Sequence, residues 1–334
     1  MWAWGVRDGA LHWGRSPRPA PARGETLVKV ALAGVCGSDV AKLTKDRIPD
    51  PGYSWRPGHE IVGWDLRSHP ERLVAVNPLV PCGRCDRCAV GRIDLCPELR
   101  MLGWALPGGF AEYVTVPVSG AVPLPDGLDA THAVLADPTA VAVHGIRCGL
   151  GHLVPGRLAV IGSGALAVAG AAYAASIGWD VTLIVRGDEK REALTGTLKA
   201  SVAFGAPGRH FDAVVDAASG HDDSPFTAAL DLVRDGGVIV AQTSYHPGVR
   251  LSRDLREPIR RALTITGSFT YCRSDGHDDF AIALDLLAAR PSWAARYVGD
   301  AYPLADLPQA LAALSSGVAG RPFKAVLSVF QEGN

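Results

Sequence analysis

The 334-residue chain has no surplus of charge: 33 Lys and Arg stand against 34 Asp and Glu, a net charge of −1. That balance excludes the electrostatic footprint of a nucleic-acid binder or of a protein held on an anionic membrane. No secretory leader is expected either. Met1-Trp2-Ala3-Trp4-Gly5 offers neither a charged n-region nor an apolar h-region, so a cytoplasmic chain is expected. Internal repeats and low-complexity tails are absent. Hydrophobic residues make up 48% and charged residues 20%, the balance of a globular protein with length enough for two cores.

An uninterrupted apolar run is also lacking. Leu158 to Trp179 is long enough to span a bilayer, but Gly162-Ser163-Gly164 breaks it. The break leaves a strand-like half, Leu158–Ile161, and an Ala-rich helical half, Ala165–Ser176. A buried β-turn-α unit accounts for both.

Cysteine is present, and its distribution is uneven. Four of seven, Cys82, Cys85, Cys88 and Cys96, fall within fifteen residues in the pattern C-x2-C-x2-C-x7-C. Clustered pairs without a secretory leader point to a metal before disulfides. Four thiolates close a tetrahedral zinc site with no open position, which staples a loop and does no chemistry. Arg84, Arg87 and Arg92 lie in this lobe with Asp86 and Asp94 interleaved. No aromatic stands between the cysteines for a base to stack on, so a solvated loop surface is expected. Cys148 and Cys272 read as buried thiols without partners, and His144 as structural.

Upstream, Thr26–Leu32 alternates as a strand and delivers the chain to Gly34-Val35-Cys36-Gly37-Ser38-Asp39. Gly58-His59-Glu60 opens another strand, a rigid place from which side chains can face a cleft. Leu73–Val76 and Gly109–Pro117 are further β patterns. Asp137 precedes a helical stretch, Ala140–Leu150, where it serves as an N-cap acceptor or faces a metal.

From about residue 144, apolar strands alternate with Ala-rich helices, the pattern of a parallel α/β sheet. Gly162-Ser163-Gly164-Ala165-Leu166-Ala167 is the G-x-G-x-x-A form of the dinucleotide fingerprint, with a strand before it and a helix after it. Gly162 makes the turn, Gly164 admits the pyrophosphate, and Ala165 and Leu166 begin the helix whose N-terminus receives it. The second strand, Asp180–Val185, ends on Arg186 where an acid would hold a ribose 2′-hydroxyl. A guanidinium suits a 2′-phosphate, which favours NADP(H), with NAD(H) as the alternative. Between Lys190 and Phe211 a helix or strand is expected to be trimmed. Phe211–Ala217, Val238–Ala241 and Leu263–Phe269 read as strands. A helix over Thr227–Val233 is expected to be capped by Asp235-Gly236-Gly237. A helix over Asp278–Ala289 and a strand over Phe323–Val329 return to the style of the first domain.

Taken in order, these motifs resemble the zinc-dependent medium-chain alcohol dehydrogenases over essentially the whole chain. The resemblance implies a GroES-like β-rich catalytic domain over residues 1–143, with 273–334 returning to it, and a Rossmann domain over 144–272. It implies two zinc ions per chain, one catalytic and one structural. Cys36 and His59 match catalytic zinc ligands. Glu60 matches an acid that reaches the metal in some states, and Asp137 stands where the sorbitol and polyol branch carries Glu. Ser38 matches a proton-relaying hydroxyl and Asp39 a carboxylate that orients the histidine ligand. The activity implied is reversible oxidation of a secondary alcohol of a polyol, sugar or cyclitol, in the cleft between domains. A homodimer or homotetramer pairing through the Leu263–Thr270 edge is also implied. There are departures: Ala41 replaces a histidine that ends the proton relay in many relatives, Asp137 is one methylene shorter than Glu, and Arg186 replaces the NAD-type acid. The alternatives are a threonine-type amino-alcohol dehydrogenase, another reductase of this fold, or a non-enzymatic zinc-ribbon module.

Overall fold

The computed structural model describes residues 1–44, 55–195, 201–204, 208, 210–218, 220, 222–243, 245–289, 291–315 and 324–329. The chain divides into two compact units. One comprises Met1–Asp137 with Ala283–Asn334, the other Pro138–Ile282. Helices Ala136–Leu150 and Asp279–Ala289 run across the two divisions.

The first unit is built on the long strand Glu25–Val35. Strand Glu60–Asp65 pairs antiparallel along one side of it. Its other side is shared: Tyr113–Pro117 pairs with the first half and Lys324–Ser328 with the second. Arg72–Val76, Ala121–Pro123 and Val298–Pro303 complete a seven-stranded sheet. The alternation read from the sequence is the alternation of burial: Val28, Val30, Ala33 and Val35 face a core with Trp4, Phe110 and Leu307. The sheet thereby carries residue 35 and residue 60 to one end, in the register Gly34↔Glu60.

The second unit holds a six-stranded sheet in which every pairing is parallel. Counted from Arg157–Ile161, its strands lie in the order third, second, first, fourth, fifth, sixth, the doubly wound dinucleotide-binding order. Its strands are covered on both faces, which is why Leu158, Ala159 and Val160 are all apolar and fully buried. Helix Ala165–Ser176 is buried on most of its faces, so it too is nearly all apolar. The long apolar run is thus a β-turn-α unit, and no helix among the described residues is long and apolar enough to cross a membrane.

Some local expectations are corrected. Both elements between Lys190 and Phe211 exist in short form, as helix Asp188–Leu194 and strand Ser201–Phe204, while residues 196–200 lie outside the described residues. The helix expected over Thr227–Val233 is Ser224–Leu232 with Pro225 in its first turn, and the chain then enters strand Val233–Ala241 directly. Asp235-Gly236-Gly237 therefore lies inside that strand at a register shift, and caps nothing. Phe323, expected to open the last strand, lies outside the described residues.

Candidate active site and cofactor loop

Cys36 ends the long strand and is the N-cap of helix Gly37–Leu43. Its thiol accepts from the backbone N–H of Asp39, and the Asp39 carboxylate accepts from the backbone N–H of Cys36 at 3.0 Å. This is a capping box with cysteine in the serine position and aspartate in the glutamate position. The C-x-x-D pattern thus has a local structural job that fixes both side chains. Ser38 follows on the first turn, half-buried.

His59 and Glu60 reach the same place from the neighbouring strand. One donor atom each of Cys36, His59 and Glu60 lies within 4.8 Å of the others. His59 is buried, with Nδ1 3.8 Å from Asp39 Oδ1 and lacking a hydrogen-bond partner. Burial alone would lower its pKa. The Asp39 carboxylate, then Cys36 and Asp137, override that and lift it to about 10. The surrounding anionic groups thus favour a cation at this point. Burial pushes the Asp39 carboxyl up, against the pull of His59.

Lys324 is a neighbour of this group that the sequence reading missed. It comes from the first position of the last strand, and its ammonium lies against Glu60 Oε2. Side-chain exposure is 4% for the lysine and nil for the glutamate. Burial would lower the lysine pKa, yet Glu60 and then Cys36 raise it above its ordinary value. Tyr297 is buried near Glu60, and burial followed by that carboxylate drives its phenol well up. Gly34 makes the arrangement possible. A Cβ there would sit 2.1 Å from Glu60 Oε2 and 2.6 Å from Val134 Cγ1.

Asp137 is buried in the first turn of helix Ala136–Leu150, one residue past the helix start and so not its N-cap. It adds negative charge at His59 but is not among the three mutually close donors. At the departure site, Ala41 is exposed. The next residue, Lys42, carries its ammonium 2.9 Å from the ring centroid of Trp104 and 5.8 Å from that of Trp55.

The four-cysteine lobe is assembled. Donor atoms of Cys82, Cys85, Cys88 and Cys96 all lie within 4.8 Å of one another, with Sγ–Sγ distances of 3.9 Å (82 to 88) and 3.5 Å (85 to 88). A tetrahedral zinc with Zn–S near 2.3 Å separates its sulfurs by about 3.8 Å. The backbone N–H of Arg84 leads in lowering the Cys82 thiol to about 7, while desolvation and then Cys85 raise Cys88 to about 12. Arg84 donates to both oxygens of Glu98, and Arg92 pairs with Asp94. Cations already paired in this way make a poor track for nucleic acid.

In the second unit, Gly162 takes φ 130° at the turn after the first strand. A Cβ there would lie 3.0 Å from the Ala217 carbonyl and 3.2 Å from the Ala167 Cβ. Gly164 is the N-cap of helix Ala165–Ser176, and a Cβ on it would meet nothing within 4 Å. Open space at a helix N-terminus is what a pyrophosphate needs. Arg186 is exposed at the end of the second strand and donates to Ser224 Oγ at 2.5 Å, at the start of helix Ser224–Leu232. Asp216, buried at the end of its strand, accepts from the Tyr245 hydroxyl. The sequence reading passed over both.

The donor chemistry fits the groups the sequence implied. The imidazole Nδ1 and the Glu60 oxygens lack well-formed hydrogen bonds inside the protein, and thiolate, imidazole and carboxylate are zinc donors. The profile of the alcohol dehydrogenase GroES-like domain matches residues 22–126. The chain is 30% identical over 305 residues to D-altritol 5-dehydrogenase of Agrobacterium fabrum, covering 85% of this chain and 87% of that one. It is 28% identical over 322 residues to L-galactonate-5-dehydrogenase of Escherichia coli K12, covering 90% of each. A Sinorhizobium meliloti structure, described as a zinc-binding dehydrogenase bound to NADP, superposes with a TM-score of 0.84. It covers 98% of this chain and 100% of the other, and at 24% identity speaks for the fold. The chain belongs to the zinc-dependent medium-chain alcohol dehydrogenases, in their polyol branch. It is accordingly an oxidoreductase that works with zinc and a nicotinamide cofactor.

Proposed function

We propose that the enzyme interconverts a secondary alcohol of a polyol, sugar or cyclitol with its ketone, exchanging hydride with NADP(H). The observation that carries this reading is the donor group of half-buried Cys36 with buried His59 and Glu60, with a further acid, Asp137, acting on it. The relatives named for D-altritol and L-galactonate support the substrate class.

In this reading Cys36 and His59 hold one zinc with help from Glu60 and Asp137, and the four-cysteine lobe holds another. A zinc ion held there would supply Lewis acidity toward the substrate hydroxyl, and a bound nicotinamide would supply the hydride chemistry. The chain positions and protonates. Ser38 Oγ, on the turn next to Cys36, takes the hydroxyl proton during oxidation and returns it during reduction. Asp39, fixed by the capping box, keeps negative charge beside His59 and steadies the imidazole. Ala41 cannot pass the proton on, so Ser38 hands it to water or to the cofactor ribose.

The test is turnover on a panel of polyols, sugars and simple alcohols, with both cofactors, for the native chain and Ser38→Ala. The native chain should prefer polyhydroxylated secondary alcohols and lose activity with its zinc. Ser38→Ala should lower turnover about 10²-fold or more with zinc content unchanged. Activity that survives complete zinc removal, or native turnover in the variant, would sink the mechanism.

The NADP(H) preference rests on Arg186 beside Ser224, a guanidinium next to a hydroxyl at a helix start. Arg186→Asp should raise KM for NADP about tenfold or more, the loss of a charge-assisted contact, and shift preference to NAD. An unchanged ratio of the two kcat/KM values would exclude the phosphate role.

The dimer reading is supported by the last strand of the parallel sheet. Among the described residues Thr264–Gly267 pairs on one side only, and Ile265 and Phe269 beside it are 43% and 60% exposed. An unpaired edge with apolar side chains is a template for strand pairing with a second copy.

A further inference from the structure

His144, Cys148 and Cys272 do not stand apart, as the sequence suggested. They form a third group of donors, all within 4.8 Å of one another. His144 and Cys148 are four residues apart on helix Ala136–Leu150 and so share a face. Cys272 comes from beyond the last parallel strand, and Asp279 opens the helix Asp279–Ala289. Around His144 Nδ1 stand Asp279 Oδ2 at 2.8 Å, Cys148 Sγ at 3.5 Å and Cys272 Sγ at 3.6 Å. A tetrahedral zinc with Zn–N of about 2.0–2.1 Å and Zn–S of about 2.3 Å places nitrogen and sulfur roughly 3.5 Å apart. The sulfur spacings therefore match a shared ion, as they do in the four-cysteine lobe.

We propose that His144, Cys148 and Cys272 form a further binding site for a thiophilic divalent cation of the zinc class, with the Asp279 carboxylate beside it as a counter-charge. Two sulfurs and one imidazole nitrogen make a three-residue donor set for such an ion, with a fourth position left for water. Arg147 completes the charge. Its Nε donates to Asp279 Oδ1 at 2.7 Å, leaving Oδ2 turned to the cluster, and its Nη2 lies 3.6 Å from Cys272 Sγ. Two thiolates and a carboxylate sum to three negative charges, which the ion and the guanidinium cancel. The Cys272 backbone N–H donates to Asp279 Oδ2 at 2.9 Å, and Ser274 Oγ lies 3.2 Å from Cys272 Sγ, so the ligands are held from behind. Cys272, His144 and Asp279 are buried, while Cys148 is exposed and gives the ion its way in. Loading replaces the two thiol protons with the ion. The site lies apart from the Cys36 group in sequence and uses none of its residues.

The test uses the full chain, equilibrated with zinc, passed through a desalting column and assayed for metal. Cys148→Ser should hold one zinc equivalent fewer than the native chain, with its turnover kept. In the native chain, zinc should slow alkylation of Cys148 by iodoacetamide at least tenfold relative to the chelated protein, read by peptide mapping. The alkylation measurement needs no variant and so stands even if Cys148→Ser fails to fold. Equal zinc content in native and variant, an alkylation rate indifferent to zinc, or recovery of Cys148 and Cys272 as a disulfide from the zinc-loaded protein would overturn the assignment.

Discussion

Lys324→Met is expected to destabilise the first unit by about 3–5 kcal/mol, the cost of leaving one partner of a buried ion pair alone. The ammonium lies against Glu60 Oε2, and neither side chain reaches solvent appreciably. Methionine fills the lysine stem's volume, so the loss isolates the charge. What remains is a buried carboxylate near Cys36 and Asp39, with no cation opposite it. The double variant Lys324→Met/Glu60→Gln removes both charges and should regain most of the loss. Urea unfolding of the zinc-stripped protein reads both variants. A shift below about 1 kcal/mol for the single variant, the range of exposed pairs, would show that the pair does not hold Glu60 in place.

Cys36→Ser is expected to cut turnover by more than about 10³-fold while leaving stability nearly unchanged. The two readouts separate because the residue has two jobs. As an N-cap its side chain accepts the Asp39 backbone N–H, and serine does this as well or better. In the proposed zinc site it would contribute a soft thiolate, which a hydroxyl does not replace. A Lewis acid supplies several kcal/mol of charge stabilisation, and each 1.36 kcal/mol is tenfold in rate. Metal analysis should show one zinc lost and the four-cysteine lobe still loaded. Retained activity would remove Cys36 from the catalytic centre, whereas parallel loss of fold and activity would reduce it to a cap.

The parts legible in the sequence were those whose partners are close along the chain. The four cysteines carry their own spacing. The glycine loop is bracketed by its strand and helix, and Cys36 stands three residues from the Asp39 that fixes it. The parallel sheet was legible because strands buried on both faces must be apolar throughout. Long-range pairings were not. Nothing near Lys324 marks it as the counter-charge of Glu60, because strand pairing through Glu25–Val35 brings them together. Cys148 and Cys272 look solitary for the same reason: a helix face and a distant loop supply one donor each. Asp137 was ambiguous because an acid before a helix and an acid in its first turn differ by one residue, a distinction settled by the helix starting at Ala136. Asp235-Gly236-Gly237 misled because a bulge within a strand and a helix terminus use the same residues.

The shared strand Glu25–Val35 has a consequence for how the protein is made. Its early neighbours, Glu60–Asp65 and Tyr113–Pro117, emerge from the ribosome soon after it, but Lys324–Ser328 emerges much later. The whole nucleotide-binding unit is synthesised in between. Glu60 therefore has no counter-charge from Lys324 until the nucleotide-binding unit has been made, and the half-built sheet presents an unpaired edge at Leu32–Val35 throughout that interval. A nascent chain stalled before Lys324 would hold the cysteine, histidine and glutamate but not the lysine that sets the glutamate's position. Maturation of the centre thus waits on a strand made after the nucleotide-binding unit, although its recognisable motif precedes that unit.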